Sequence, residues 1–129
     1  MNIEGNKVTV KKSAKELYEN FTQLENFEGL MPENTEKFEV DGDSFLFGLK
    51  GMPEIRLVLK EKVEYSKITL ASASSKFAFT LTADIEDISE NESNVQLNFD
   101  GDFNPMMAMM IKRPLTKFVE TLTENIEKL

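Results

Sequence analysis

One feature of this chain of 129 residues narrows its fold more than any other: from Thr35 to Phe103 the apolar residues recur with a period of two. Phe45, Phe47 and Leu49 share one parity, as do Ile55, Leu57 and Leu59, and then Ile68 and Leu70. Phe77, Phe79, Leu81 and Ile85 follow, and Val95, Leu97, Phe99 and Phe103 complete the set. The other parity carries Arg56, Lys60 and Lys62, then Thr80, Thr82, Asp84 and Glu86, then Gln96, Asn98, Asp100 and Asp102. Successive side chains of a strand point to opposite faces, so this alternation predicts an antiparallel sheet with one buried and one wet face. Turn signals at Asp41-Gly42-Asp43, Gly51-Met52-Pro53, Tyr65-Ser66-Lys67 and residues 90–94, with a further break near 74–76, divide the stretch into a six-strand meander.

The ends of the chain follow other rules. Val8 and Val10 alternate with Lys7 and Thr9 and predict a first strand. Ser13 and Glu16, three apart before an apolar-periodic run, form a capping box; Leu17, Phe21 and Leu24 then share a helical face. Residues 26–31 read as a second short helical turn, closed by Pro32. After Phe103, Asn104 is a cap and Pro105 takes the first helical position. Met107, Ile111, Leu115, Phe118, Leu122, Ile126 and Leu129 recur at three and four, and Arg113, Thr116, Glu120, Thr123, Glu124 and Glu127 fall away from them. The stripe spans about 33 Å at the helical rise. It keeps its register through Pro114, which predicts one kinked helix rather than two.

Burying a large apolar side chain is worth about 1.5–3 kcal/mol, so the inward face of the sheet needs a cover, and the last helix carries the matching stripe. The expectation is a single α+β domain over residues 1–129. About seven antiparallel strands curve around a long C-terminal helix, with two short helices after the first strand.

This layout resembles the helix-grip fold of the START-like, or SRPBCC, superfamily, to which the birch-pollen allergen is related. The opening KVTVKKSAKELYENF is similar to that superfamily's strand followed by a capped helix. The Gly-Met-Pro-Glu-Ile stretch, the acidic last hairpin and the NPMMAMMIKRPLTKF helix resemble its carbon-monoxide-dehydrogenase-subunit-G-like branch. The resemblance implies a cavity between sheet and helix that takes an apolar or amphipathic small molecule. It does not imply one activity, because the superfamily includes carriers, cyclases, hydroxylase domains and partner-binding modules.

Composition removes several kinds of chemistry. The net charge is −8, which opposes binding to nucleic acid. The chain has no cysteine, histidine or tryptophan. Disulfides, Ser-His and Cys-His nucleophiles and the usual zinc sites are thereby excluded. Isolated glycines build no phosphate loop. Asp41 with Asp43, and Asp100 with Asp102, are spaced to share one side of a strand, but they read as solvated charge rather than as a metal site. Glu61, the one acid of inward parity, reads as solvated beside Lys60 and Lys62. No metal and no cofactor are expected. No apolar run reaches the length of a membrane span, the opening residues lack a signal-peptide core, and the cytoplasm is the expected compartment.

The leading expectation is therefore a binding or carrier protein for a hydrophobic small molecule. Its site would be lined by Phe47, Leu57, Leu70, Phe79, Leu81 and Phe99 from the sheet and by Met107, Ile111 and Leu115 from the helix, with Met110 near the mouth. The inward small residues Ser72, Ser74, Ala83 and Gly101 would leave the space. An alternative is a protein-interaction module with a filled core. It would use the methionine-rich helix start, because Met106 and Met109 project away from the stripe. A third reading is a cofactor-free cyclase or dehydratase working through Tyr18, Tyr65 or Glu61.

Overall fold

The computed structural model describes residues 1–129, the side chain of Lys76 excepted. Strands β1 (Asn2–Glu4) and β2 (Val8–Val10) lead into helix α1 (Ala14–Thr22) and a 3₁₀ segment, Leu24–Leu30. The meander follows as β3 (Thr35–Asp41), β4 (Ser44–Leu49), β5 (Ile55–Val63), β6 (Lys67–Ser72), β7 (Phe79–Ser89) and β8 (Glu92–Gly101). Helix α2 (Pro105–Glu127) closes the chain. All pairings are antiparallel, in the order β1-β8-β7-β6-β5-β4-β3, with β2 also on β8. Among the described residues no helix is long and apolar enough to cross a membrane.

The expected helix-grip architecture is present, with eight strands in place of about seven. The extra strand arises because the first one is broken: β1 and β2 pair with different stretches of β8. Gly5, in the break, keeps the chain attached by donating to the Leu97 carbonyl at 2.7 Å, while Gln96 Nε2 donates to the Gly5 carbonyl at 3.0 Å.

The capping signals work as read. Glu16 N–H donates to Ser13 Oγ at 3.1 Å, and the Glu16 carboxylate accepts from the Ser13 backbone. Ser13→Ala is expected to lower stability by about 1 kcal/mol in urea melts. Leu17, Phe21, Leu24, Phe27 and Leu30 are buried, so α1 and the 3₁₀ segment plug one side of the sheet's concavity. Asn104 Oδ1 accepts from Met107 N–H at 2.8 Å, with Pro105 behind it, and α2 runs unbroken through Pro114. Ile111, Leu115, Phe118, Leu122 and Ile126 of the stripe are buried.

Four particulars depart from the pattern. Phe77 and Phe103 lie off the strands, in a 3₁₀ turn (Ser75–Phe77) and beyond the end of β8, and pack on each other with ring centroids 5.1 Å apart. A register shift between Leu59 and Glu61 interrupts the parity of β5, and Leu59 is only half-buried. Thr123, expected on the outer face of α2, is buried together with Val119. The cause is Gly5: a Cβ there would lie 3.1 Å from Thr123 Oγ1 and 3.2 Å from Val119 Cγ1, so the missing side chain lets the helix approach the broken strand.

Candidate binding groove

Of the residues expected to line a site, Phe47, Leu57, Leu70, Phe79, Leu81, Phe99, Ile111 and Leu115 are buried in one apolar core. Met107 is half-buried and Met110 is 73% exposed. Aromatic rings meet inside this core. Phe79 stacks on Phe99 with centroids 4.7 Å apart, and Phe47 stacks on Phe118 at 5.3 Å.

The small residues are spread out. Gly101 stands opposite Phe79, whereas Ala83 stands opposite Leu97 and Ile68, four residues further along β7. The space a Gly101 side chain would take is occupied by the Phe103 ring, whose Cε2 and Cζ lie 2.5 and 2.8 Å from an ideal Cβ position. Ser72 ends β6 half-buried, and Ser74 is exposed.

A concave space of about 540 Å³ opens on the flank of α2. Its apolar lining is Met31, Pro32, Leu49, Met52, Pro114 and Phe118. Its polar lining is Glu33, Asn34, Lys50, Lys117, Thr121, Glu124, Asn125 and Lys128. Three pieces of local structure bring these together. The chain leaving the 3₁₀ segment supplies Met31 to Asn34, the turn after β4 supplies Lys50 and Met52, and helical spacing aligns Pro114, Phe118, Thr121 and Asn125 on one flank. Asn125 Nδ2 donates to the Leu30 carbonyl at 2.8 Å and fixes the helix against the 3₁₀ segment at the edge of the groove. Phe118 joins groove to core: it lines the groove, yet its ring stacks on Phe47. Among the described residues none of Lys50, Lys117, Lys128, Glu33 and Glu124 is in an ion pair. Their charges are free to meet a polar group.

The sequence pointed to Pro114 as a kink and to Gly51-Met52-Pro53 as a turn, but not to either as a lining. The usable signal was the pair of Met-Pro steps, Met31-Pro32 and Met52-Pro53, which set apolar side chains in loops that would otherwise be polar.

The remaining candidates lie elsewhere. Tyr18 and Tyr65 meet edge to face, with centroids 5.6 Å apart, and Tyr65 adopts φ 62° in the β5–β6 turn. Glu61 is exposed, 3.9 Å from Lys67 Nζ. Asp41, Asp43, Asp100 and Asp102 are exposed, and among the described residues no three acidic groups gather to hold a metal ion. A shallow depression on the sheet surface, about 590 Å³, includes Asp100 and Asp102 with Lys60 and Phe79.

A curved antiparallel sheet gripping a long C-terminal helix, with a groove opening beside that helix, defines the chain as a helix-grip protein. Its likeness to particular proteins is one of structure. Truncated norcoclaurine synthase from Thalictrum flavum superposes with a TM-score of 0.75 at 12% identity, covering 99% of this chain and 91% of that one. A conserved protein from Geobacillus kaustophilus gives a TM-score of 0.71 at 10% identity, covering 99% and 93%. The protein XoxI from Bacillus cereus gives 0.68 at 8%, covering 98% and 93%. No family model matches the sequence, and no curated protein matches it.

Proposed function

We propose that this protein binds an amphipathic small molecule of apolar body and polar end, entering by the groove beside α2. The observation that carries this reading is the groove itself. Its volume of about 540 Å³ is within the range of small-molecule sites, and its floor, Phe118, belongs to the core. In this reading the apolar part rests on Leu49, Met52, Pro114 and Phe118, and the polar end meets Lys50, Lys117 or Lys128. Phe47, Leu57, Leu70, Phe79, Leu81, Phe99, Ile111 and Leu115 form the inner wall that a larger ligand would reach by displacing Phe118. Met107 and Met110 stand at the far end of the same helix. Norcoclaurine synthase, of the same fold, has a structure in complex with dopamine and hydroxybenzaldehyde, small molecules of this size class.

The test is titration with anilinonaphthalene sulfonate, a fluorescent probe with an apolar body and an anionic end. It should bind the folded protein and raise its melting temperature by mass action. Thr121→Trp places a bulky ring in the groove from a half-buried position. That variant should melt as the wild type does and bind the probe at least about tenfold more weakly. Equal binding by both proteins would sink the proposal.

One observation favours a second reading, an interaction module: Met106 and Met109 are among the most exposed large apolar side chains of the molecule.

A further inference from the structure

The sheet ends on an open strand. β3 is last in the order, bonded to β4 on one side and to no strand on the other. The two-residue turn Gly42-Asp43 makes Asp41 and Ser44 a hydrogen-bonded pair, so Glu39 and Lys37 also direct their backbone groups to β4. Phe38 and Val40, the alternate residues, turn N–H and C=O outward, and among the described residues neither backbone bonds to any other segment. Both side chains are half-buried against the core, where the Phe38 ring stacks on Phe45 with centroids 5.2 Å apart. Lys37 and Glu39 are exposed on the other face. A concave space of about 320 Å³ lies beside the edge, between residues 35–38 and Glu28, Met31 and Pro32 around the end of the 3₁₀ segment.

An unpaired strand edge invites any other chain, and charges and bulges along it are the usual guard. β3 carries both: a register shift between Thr35 and Lys37, and the charged residues Glu36, Lys37, Glu39 and Asp41. The order of those charges is self-complementary. Laid antiparallel on a copy of itself about Phe38, the strand sets Lys37 opposite Glu39 of the second copy, and Glu39 opposite its Lys37. Val40 falls opposite Glu36 and Asp41 opposite Thr35, so within the strand no like charges face each other. The neighbouring registers all fail. They set Lys37 on Lys37, Glu39 on Glu39, Glu39 on Asp41 or Glu39 on Glu33. Like charges directly opposite are destabilising. The favoured register also brings the outward backbone groups of Phe38 against those of its copy, as a hydrogen-bonded pair requires.

We infer that β3 pairs with β3 of a second copy, joining the two sheets across a twofold axis at Phe38. An interface that uses the same patch on both subunits is the commonest way for a chain to associate with itself. The two Phe38 rings meet on the concave side. The two Lys37–Glu39 pairs close on the convex side, at non-hydrogen-bonded positions where opposite Cα atoms approach to about 4.5 Å. Within one chain Lys37 Nζ already lies 3.4 Å from Glu54 Oε2 and 3.9 Å from Glu39 Oε1, so its charge is held on the face where the second copy's Glu39 arrives. The charges that turn other strands away thus select this one. Met31 and Pro32 line both the edge space and the groove beside α2, so the grooves of the two copies would flank the seam.

The experiment is sedimentation velocity of the purified protein from micromolar to near-millimolar concentration. Salt is set at about 0.15 M, where a screening length of about 8 Å limits repulsion between copies. A shift from monomer to dimer with concentration is the expected result. Lys37→Glu sets Glu against Glu39 in both pairs, and Glu39→Lys sets Lys against Lys37 in both. Each variant alone should dimerise at least about tenfold more weakly. Mixed in equal amounts, the two variants match charge at both pairs, and a heterodimer should return at wild-type strength. Both side chains are exposed, so circular dichroism and melting of the variants should stay close to the wild type. A wild type that stays monomeric throughout would overturn the inference. So would a dimer that both charge variants retain, or a mixture that associates no better than its parts. The assay holds no ligand and the probe titration reads no association, so failure of either proposal leaves the other standing.

Discussion

Replacing Phe118 with alanine is expected to destabilise the protein by about 3–5 kcal/mol. The ring is 4% exposed and stacks on Phe47, so its loss removes a large apolar group from the seam between helix and sheet. The cost has two parts: the burial free energy of the ring, and a cavity that close-packed neighbours cannot collapse to fill. Phe118 also closes the groove from the core, so the cavity would be open to water. The measurement is a urea melt monitored by circular dichroism. A loss of less than about 1 kcal/mol would mean that α2 is not gripped as described.

Gly5→Val is expected to cost about 3 kcal/mol, and Gly5→Ala less. An ideal Cβ at Gly5 would meet the Leu97 carbonyl oxygen and Thr123 Oγ1, each at 3.1 Å, and Val119 Cγ1 at 3.2 Å. One of the three is backbone in the middle of β8 and cannot yield cheaply. The other two are side chains of α2, so the helix would have to lift from the broken first strand. Thr123→Ala removes one of the contacts and should restore part of the Gly5→Ala loss. A double-mutant cycle reads that coupling directly. If the two losses simply add, the close approach of helix and strand does not set the cost.

The framework was legible because it rests on local rules. Parity identified the inward residues of β4 to β8, and the caps at Ser13 and Asn104 placed the starts of both helices. The departures arise where distant segments meet. Thr123 looks outward by helical projection, yet it is buried because Gly5, far away in the chain, leaves room for it. Phe77 and Phe103 keep strand parity in the sequence but pack together from two connections. Parity says which side chains point inward. It does not say whether they meet or leave a space, which depends on sheet curvature and on the rings opposite. The groove is not legible in the sequence for the same reason. Residues 31–34, 49–52 and the flank of α2 share no periodicity, and only the closed fold sets them side by side.

The seating of β1 and β2 on β8 has a consequence for how the chain reaches this state. β3 to β8 form hairpin by hairpin between neighbours in sequence, so their loops close cheaply and early. The first ten residues must wait for β8, roughly ninety residues later in the chain. During synthesis they emerge before the meander and find their partner nearly last. Until they arrive, β8 offers an open strand edge to any other chain. The slow, aggregation-exposed step should therefore be the return of the first strand, not the assembly of the meander. Deletion of residues 1–10 should leave a chain that collapses readily but self-associates through β8.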